Sequence, residues 1–235
     1  MKARTTNFIS ILLTLGSAAA LTTPTRRQTC DVLDVNVEVC SLPPPEEPTS
    51  FIALGVGTQN YTCSSAGNYT SAGASATIID ISCTYADHEW HSIARTAYEY
   101  WTLAPDSVSP SDMMEVLHPD FGDLVSLGHH YFVTNPVNSS AGISPKWDFT
   151  SYFDDSSAFV VAARTGDIPA PDDPSDNVDW LQMKGMGGQG NLAHSIYRTH
   201  TQGGQPPVKC SSGSEPITVK YTALYWLAGG EFQDA

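Results

Sequence analysis

Basic residues are scarce in this chain of 235 residues. Eleven Lys and Arg stand against 25 Asp and Glu, a formal net charge of −14 at pH 7. Binding to nucleic acid draws on counterion release by a basic surface, and none is present to supply it. Nucleic acid and anionic membranes are therefore poor partners. Charged residues make up only 15% of the chain against 41% hydrophobic, which excludes disordered and coiled-coil compositions. The cysteines number five and none lie in a C-x-x-C pair, so a zinc-knuckle reading has no support. Neither G-x-S-x-G nor H-E-x-x-H occurs.

Long apolar runs are also missing beyond the first 20 residues. Within them, Lys2 and Arg4 precede an apolar stretch from Phe8 to Leu15 and the small residues Ser17, Ala18, Ala19 and Ala20. That order reads as a secretory signal peptide over residues 1–20, too interrupted for a membrane span. Arg26-Arg27 then offers a dibasic cut that would remove a short propeptide, 21–27, and leave residues 28–235 as one β domain. The expected destination is extracellular, with no membrane partner. Sequons at Asn60, Asn68 and Asn138 fit the same compartment as N-glycosylation sites. Cys30, Cys40, Cys63, Cys83 and Cys210 would pair there with one left over.

Alternation is the dominant pattern. Ile217, Val219, Tyr221, Ala223, Tyr225 and Leu227 occupy every second position, and residues 34–39 alternate likewise. Residues 51–56, 58–63, 74–83, 124–133, 158–164, 178–184 and 192–201 also read as strands bounded by turn formers. About nine strands with no helices between most of them predict a mainly β fold, an antiparallel β-sandwich or barrel. One or two short helices would cover one end. Ile93, Ala97, Tyr100 and Trp101 recur at helical spacing over residues 89–101, and Ser109, Pro110 and Asp112 form a capping-box start for a second helix. Residues 43–50, 135–145 and 169–177 read as loops.

Candidate sites are few. Gly185, Gly187 and Gly190 match G-x-G-x-x-G, but alternating sequence follows where a dinucleotide-binding loop must open a helix. A hairpin loop is the better reading, and the chain is not a Rossmann dehydrogenase. His88 and His91 have a spacing that suits a metal on a helix, yet no third ligand stands out, so neither a metal nor another cofactor is expected. His129 and His130 point to opposite faces of one strand. His130, Trp147, Asp148 and Arg198 are the candidates for a binding or active cleft.

Several segments together carry a family resemblance. They are residues 53–63 (ALGVGTQNYTC), 143–149 (ISPKWDF), 166–171 (GDIPAP), 178–181 (VDWL), Arg198 with 201–207 (TQGGQPP), and 220–223 (KYTA). In that order they resemble secreted fungal proteins, with bacterial relatives, catalogued as a domain of unknown function and often labelled "malate dehydrogenase". The resemblance implies a secreted fungal β domain and no particular activity. It also implies that Cys40 is the additional thiol, leaving Cys30, Cys63, Cys83 and Cys210 for disulfides, with Cys63 and Cys83 both bridged. The functional expectation is a binding or cell-surface domain whose partner is a glycan or a host or cell-wall component, since Trp and Tyr can stack on sugar rings. The alternative is a hydrolase or lyase acting on an extracellular polysaccharide through His130 and a carboxylate such as Asp148.

One further expectation concerns register. Counting by two from Ile52, Leu54 and Val56 puts Asn60 on the same apolar face, so a bulge near Gly57 is expected to turn Gln59, Tyr61 and Cys63 inward and Asn60 outward.

Overall fold

A computed structural model describes residues 30–86 and 90–232. The expected signal peptide over 1–20, the segment 21–27 and His88 lie outside those residues. Eight strands follow one another around a closed barrel: β1 (Thr49–Cys63), β2 (Tyr69–Asp80), β3 (Val125–Thr134), β4 (Ile143–Asp148), β5 (Phe159–Ile168), β6 (Trp180–Gly185), β7 (Ser195–Gly203) and β8 (Ile217–Ala228). Each strand is antiparallel to its neighbours, and β8 closes on β1 from Thr49↔Ala228 to Tyr61↔Ile217. Closure leaves no unpaired edge.

Helices α1 (Ile93–Leu103) and α2 (Met113–Phe121) lie in the β2–β3 connection, and a single turn, α3 (Thr150–Phe153), follows β4. The capping box at Ser109 and Asp112 forms as its sequence requires. Helix α1 buries Ile93, Ala94, Ala97 and Trp101. It packs on the outer wall of the barrel, against β8, β7 and β1, rather than over an end.

That placement creates two cores. Inside the barrel, Ala53, Ala76, Ile78, Trp147, Val160, Met183, Ile196, Tyr221, Ala223 and Tyr225 pack together. Outside it, Ile52, Leu54, Val56, Ile79, Leu224 and Trp226 pack under Ile93, Ala97, Trp101, Met113 and Leu117. Each large side chain so buried contributes about 1.5–3 kcal/mol. Strand β8 is accordingly buried without a break from Tyr221 to Ala228, because both of its faces are covered.

Three expectations are corrected by this arrangement. Residues 34–39 alternate in burial, with Val37 covered, but pair with no strand and run as irregular chain over the helical layer. Residues 135–145 are not all loop, since β4 begins at Ile143 and runs through Pro145 to Asp148. No bulge occurs near Gly57: β1 pairs with β8 in unbroken register from Phe51 to Tyr61, and its register against β2 slips only between Asn60 and Tyr61. Gln59 and Tyr61 nonetheless face the interior, as Ala53 does. The outward parity passes from the helix-covered Val56 to the half-exposed Asn60 without any change of register, because the helical cover ends.

The disulfides are Cys30–Cys83 and Cys63–Cys210, with sequence separations of 53 and 147, and Cys40 is free and exposed. No helix among the described residues is long and apolar enough to cross a membrane. The glycine-rich segment after β6 is the β6–β7 connection and opens no helix.

Candidate functional site

The barrel is plugged at one end and hollow at the other. Phe51 meets Phe149 with ring centroids 5.9 Å apart, and Phe153 meets Phe232 at 4.9 Å, so aromatic rings form the floor. Leu127, Leu192 and Leu227 complete it. Above this floor lies a cavity of about 560 Å³, a size suited to a small organic molecule. Every strand contributes to its wall: Gln59 and Tyr61 from β1, Ser71 from β2, His130 from β3, Trp147 from β4, Ala162 from β5, Met183 from β6, Arg198 from β7 and Tyr225 from β8. The cavity therefore lies on the barrel axis. Two other depressions, of about 480 and 590 Å³, lie nearby, one around His129 and Asp148 and one around the β6–β7 loop, the latter sharing Met183 and Met186 with the barrel cavity.

The interior wall is built by strand alternation. His130 sits opposite Trp147 in the β3–β4 register, and their rings stack at 4.3 Å with an interplanar angle of 18°. Tyr225 closes on both rings, at 5.6 Å from His130 and 5.5 Å from Trp147. Its ring fits because position 55 is glycine: a Cβ there would lie 2.5 Å from Tyr225 Cε2. Arg198 donates from Nε and Nη2 to the Asp179 carbonyl at 3.1 and 2.8 Å, which fixes the guanidinium against the wall. Tyr61 donates to the Gly204 carbonyl at 2.8 Å, and the Tyr221 and Tyr225 hydroxyls lie 3.0 Å apart.

The cavity wall carries two guanidinium groups, Arg198 and Arg164, and one carboxylate residue, Asp179. Burial pushes the His130 imidazole down to about 3, partly opposed by its hydrogen bond to the Lys146 carbonyl and reinforced by the Arg198 charge. A carbonyl only accepts, so Nδ1, 3.0 Å from Lys146 O, carries the proton of the neutral ring and Nε2 is left as an acceptor. Burial raises the Tyr61 hydroxyl to about 12 and the Tyr221 and Tyr225 hydroxyls as well, while the Arg198 charge pulls all three the other way. Among the described residues no carboxylate lies within ion-pair distance of Arg198. Trp147 Nε1 is a buried N–H donor with no acceptor in the protein, and the buried Gln59 Nε2 makes no well-formed hydrogen bond although its side chain reaches toward the Tyr221 hydroxyl; both residues line the cavity. An unpaired buried donor costs about 1–3 kcal/mol, so the Trp147 N–H marks a place where a ligand or water accepts.

Of the four residues expected to share a cleft, three converge. His130, Trp147 and Arg198 line the barrel cavity. Asp148, one residue beyond Trp147, faces the outside, where Lys146, Tyr131 and Thr150 donate to its carboxylate at 2.8, 2.7 and 2.7 Å. Burial there would raise the carboxyl, but these hydrogen bonds outweigh it and hold it well below the usual range. Gln59, Tyr61 and Tyr225 are absent from the expected site, although Gln59 and Tyr61 are expected to face inward. The available signal was a lone amide at an inward position of β1, between apolar alternation and Tyr61.

Fold and cavity together define a cup-shaped, up-and-down antiparallel barrel with a polar interior site at its open end. The chain belongs to the family described as Protein of unknown function (DUF3455), which matches residues 43–229, a span that takes in all eight strands and every cavity residue named above. No curated protein and no solved structure is detectably similar to it.

Proposed function

We propose that this protein is a secreted binding protein that encloses a small organic anion with a planar, largely apolar body in the mouth of its barrel. The observation that carries the reading is the convergence, in one cavity, of an Arg198 guanidinium with no carboxylate at ion-pair distance among the described residues and the buried N–H donors of Trp147 and Gln59, the first without an acceptor. A carboxylate or similar anion would accept from these groups, and charge-assisted hydrogen bonds are the stronger kind. The half-buried Phe132, Pro145 and Leu181 side chains of the wall would cover the apolar part. The two disulfides are consistent with an oxidising extracellular compartment.

This reading narrows the expected partner from an extended glycan or wall component to a molecule that fits inside. Trp147 is fully buried and already stacked on His130, so it does not present a flat platform to a polysaccharide. A hydrolase or lyase using His130 has less support. Its ring is a weak base with one nitrogen committed to a backbone carbonyl, and Asp148 belongs to the opposite face of β4.

The test is calorimetric titration of the purified chain with a panel of aromatic and medium-chain carboxylates and their methyl esters. Carboxylates are expected to bind, their esters to bind at least roughly tenfold more weakly, and Arg198→Met to remove that difference. Esters binding as well as acids, or Arg198→Met leaving carboxylate affinity intact, would overturn the reading.

A further inference from the structure

A second cluster lies outside the barrel, on the opposite side of the β7 wall from the cavity. Here three segments far apart in sequence bring together Glu38, from the irregular chain before β1, His91, from the 3₁₀ turn Trp90–Ser92 that leads into α1, and His200, from β7. One carboxylate oxygen and one nitrogen from each ring lie within 4.8 Å of one another, and His200 Nε2 is 3.3 Å from Glu38 Oε2. Ligand atoms around a tetrahedral ion with bonds of about 2.0–2.1 Å stand roughly 3.4 Å apart. The Glu38–His200 edge already has that length, and the exposed His91 and Glu38 side chains have the freedom to shorten the others.

We propose that Glu38, His91 and His200 form a binding site for Zn²⁺. Two imidazoles and a carboxylate suit zinc and its neighbours rather than Ca²⁺ or Mg²⁺, which take oxygen ligands. Three protein donors leave a fourth position open. A small hollow of about 70 Å³ lies beside the cluster, lined by His91, Arg95, Asp172, Trp180 and His200, with room for a water ligand.

His200 is held in place by its backbone conformation, a hydrogen-bond contact at Nδ1 and ring packing, which leaves Nε2 toward Glu38. His200 has a backbone φ of 48°, a left-handed conformation rare for a non-glycine residue, at the point where the β7–β8 register breaks between Thr199 and Gln202. Such strain costs on the order of 1–3 kcal/mol, and here it turns the ring out of the strand's alternation toward Glu38. Trp226 Nε1 donates to Thr199 Oγ1 at 2.8 Å, and that oxygen lies 2.9 Å from His200 Nδ1. With zinc on Nε2, Nδ1 carries the proton and donates to Thr199 Oγ1, which fixes the tautomer from the outer shell. Trp180 stacks on His200 at 5.0 Å and Trp90 lies 3.7 Å from the His91 ring, so both imidazoles have an apolar backing.

The experiment is a Zn²⁺ titration of the purified, chelator-treated chain against a chromophoric indicator, with thermal unfolding recorded alongside. One zinc per chain is expected, with a higher unfolding temperature in its presence. His91→Ala and His200→Ala should each weaken binding by at least roughly tenfold, and Glu38→Gln should weaken it measurably. His118→Ala, remote and paired with Asp123, serves as control and should bind as the parent does. Because His91 is exposed, its variant tests the site even if the strained position 200 does not tolerate replacement. Absence of stoichiometric binding, or binding that His91→Ala leaves unchanged, would overturn the assignment.

Discussion

His130 makes the barrel sensitive to acid by an amount that can be worked out. Its ring is fully buried with a pKa near 3, against about 6.5 for an imidazole in the unfolded chain. Below about pH 6.5 the unfolded chain therefore binds a proton that the folded chain does not, and stability falls as pH falls. The slope is about 1.4 kcal/mol per pH unit, reaching a loss of about 2–3 kcal/mol between about pH 7.5 and pH 4.5, and it levels off only near pH 3. The assay is urea unfolding across that range for the parent, His130→Phe and His130→Gln. His200 and Asp148 titrate in all three chains, so their effects cancel in the difference. Both variants are expected to start less stable at neutral pH, since the Lys146 carbonyl loses its donor or its geometry, and to lose less stability on acidification. Using two replacements separates a packing defect, which shifts a whole curve, from a lost titration, which changes its slope. Curves that stay parallel to the parent's from neutral pH to about pH 4.5 would refute the reasoning.

Gly55→Ala places a methyl group against the Tyr225 ring and should destabilise the barrel by about 1–3 kcal/mol, read as a lower urea midpoint. Lys220 donates to the Trp101 and Ala104 carbonyls at 2.9 and 2.7 Å, where α1 ends, so Lys220→Met should cost about 1–3 kcal/mol in the same assay. Cys63→Ser with Cys210→Ser opens a loop of 147 residues, for which chain entropy sets an upper figure of about 5 kcal/mol, while Cys40 should react with maleimide in the native, unreduced chain. Asn68 is exposed in the β1–β2 turn, and mass spectrometry of the chain expressed through a eukaryotic secretory pathway should find a glycan there; Asn60, Asn68 and Asn138 all bare would remove the glycoprotein expectation.

Much of the barrel was legible because strand alternation is a local property. The inward set Tyr221, Ala223, Tyr225 and Leu227 on β8 could be read directly, as could the opposite facings of His129 and His130. What escaped sequence depended on partners. Pattern alone could not separate sandwich from barrel, since closure is a matter of β1 meeting β8. Ile52, Leu54 and Val56 looked like the single apolar face of β1, whereas the helical layer gives that strand a second buried face and the interior takes Ala53, Gly55 and Gln59. The apparent conflict at Asn60 needs no bulge, because the helical cover ends before that position. Of the cleft candidates, Trp147 and Asp148 are adjacent in sequence and so were grouped, yet adjacency on a strand is what separates them. Glu38 lay in a segment read as an ordinary strand, and His91 looked like a ligand lacking companions, because residues brought together across 162 positions leave no spacing to read.

The aromatic floor has a kinetic consequence. On the binding reading proposed above, a guest would not pass through a barrel whose lower end is filled by Phe51, Phe149, Phe153 and Phe232, so it would arrive and depart by the same opening. The hairpin loops around that rim then act as a common gate. Stiffening them should slow uptake and release by the same factor, and shortening them should speed both, leaving the dissociation constant where it was, whereas changes at Arg198 or Trp147 should act chiefly on residence time.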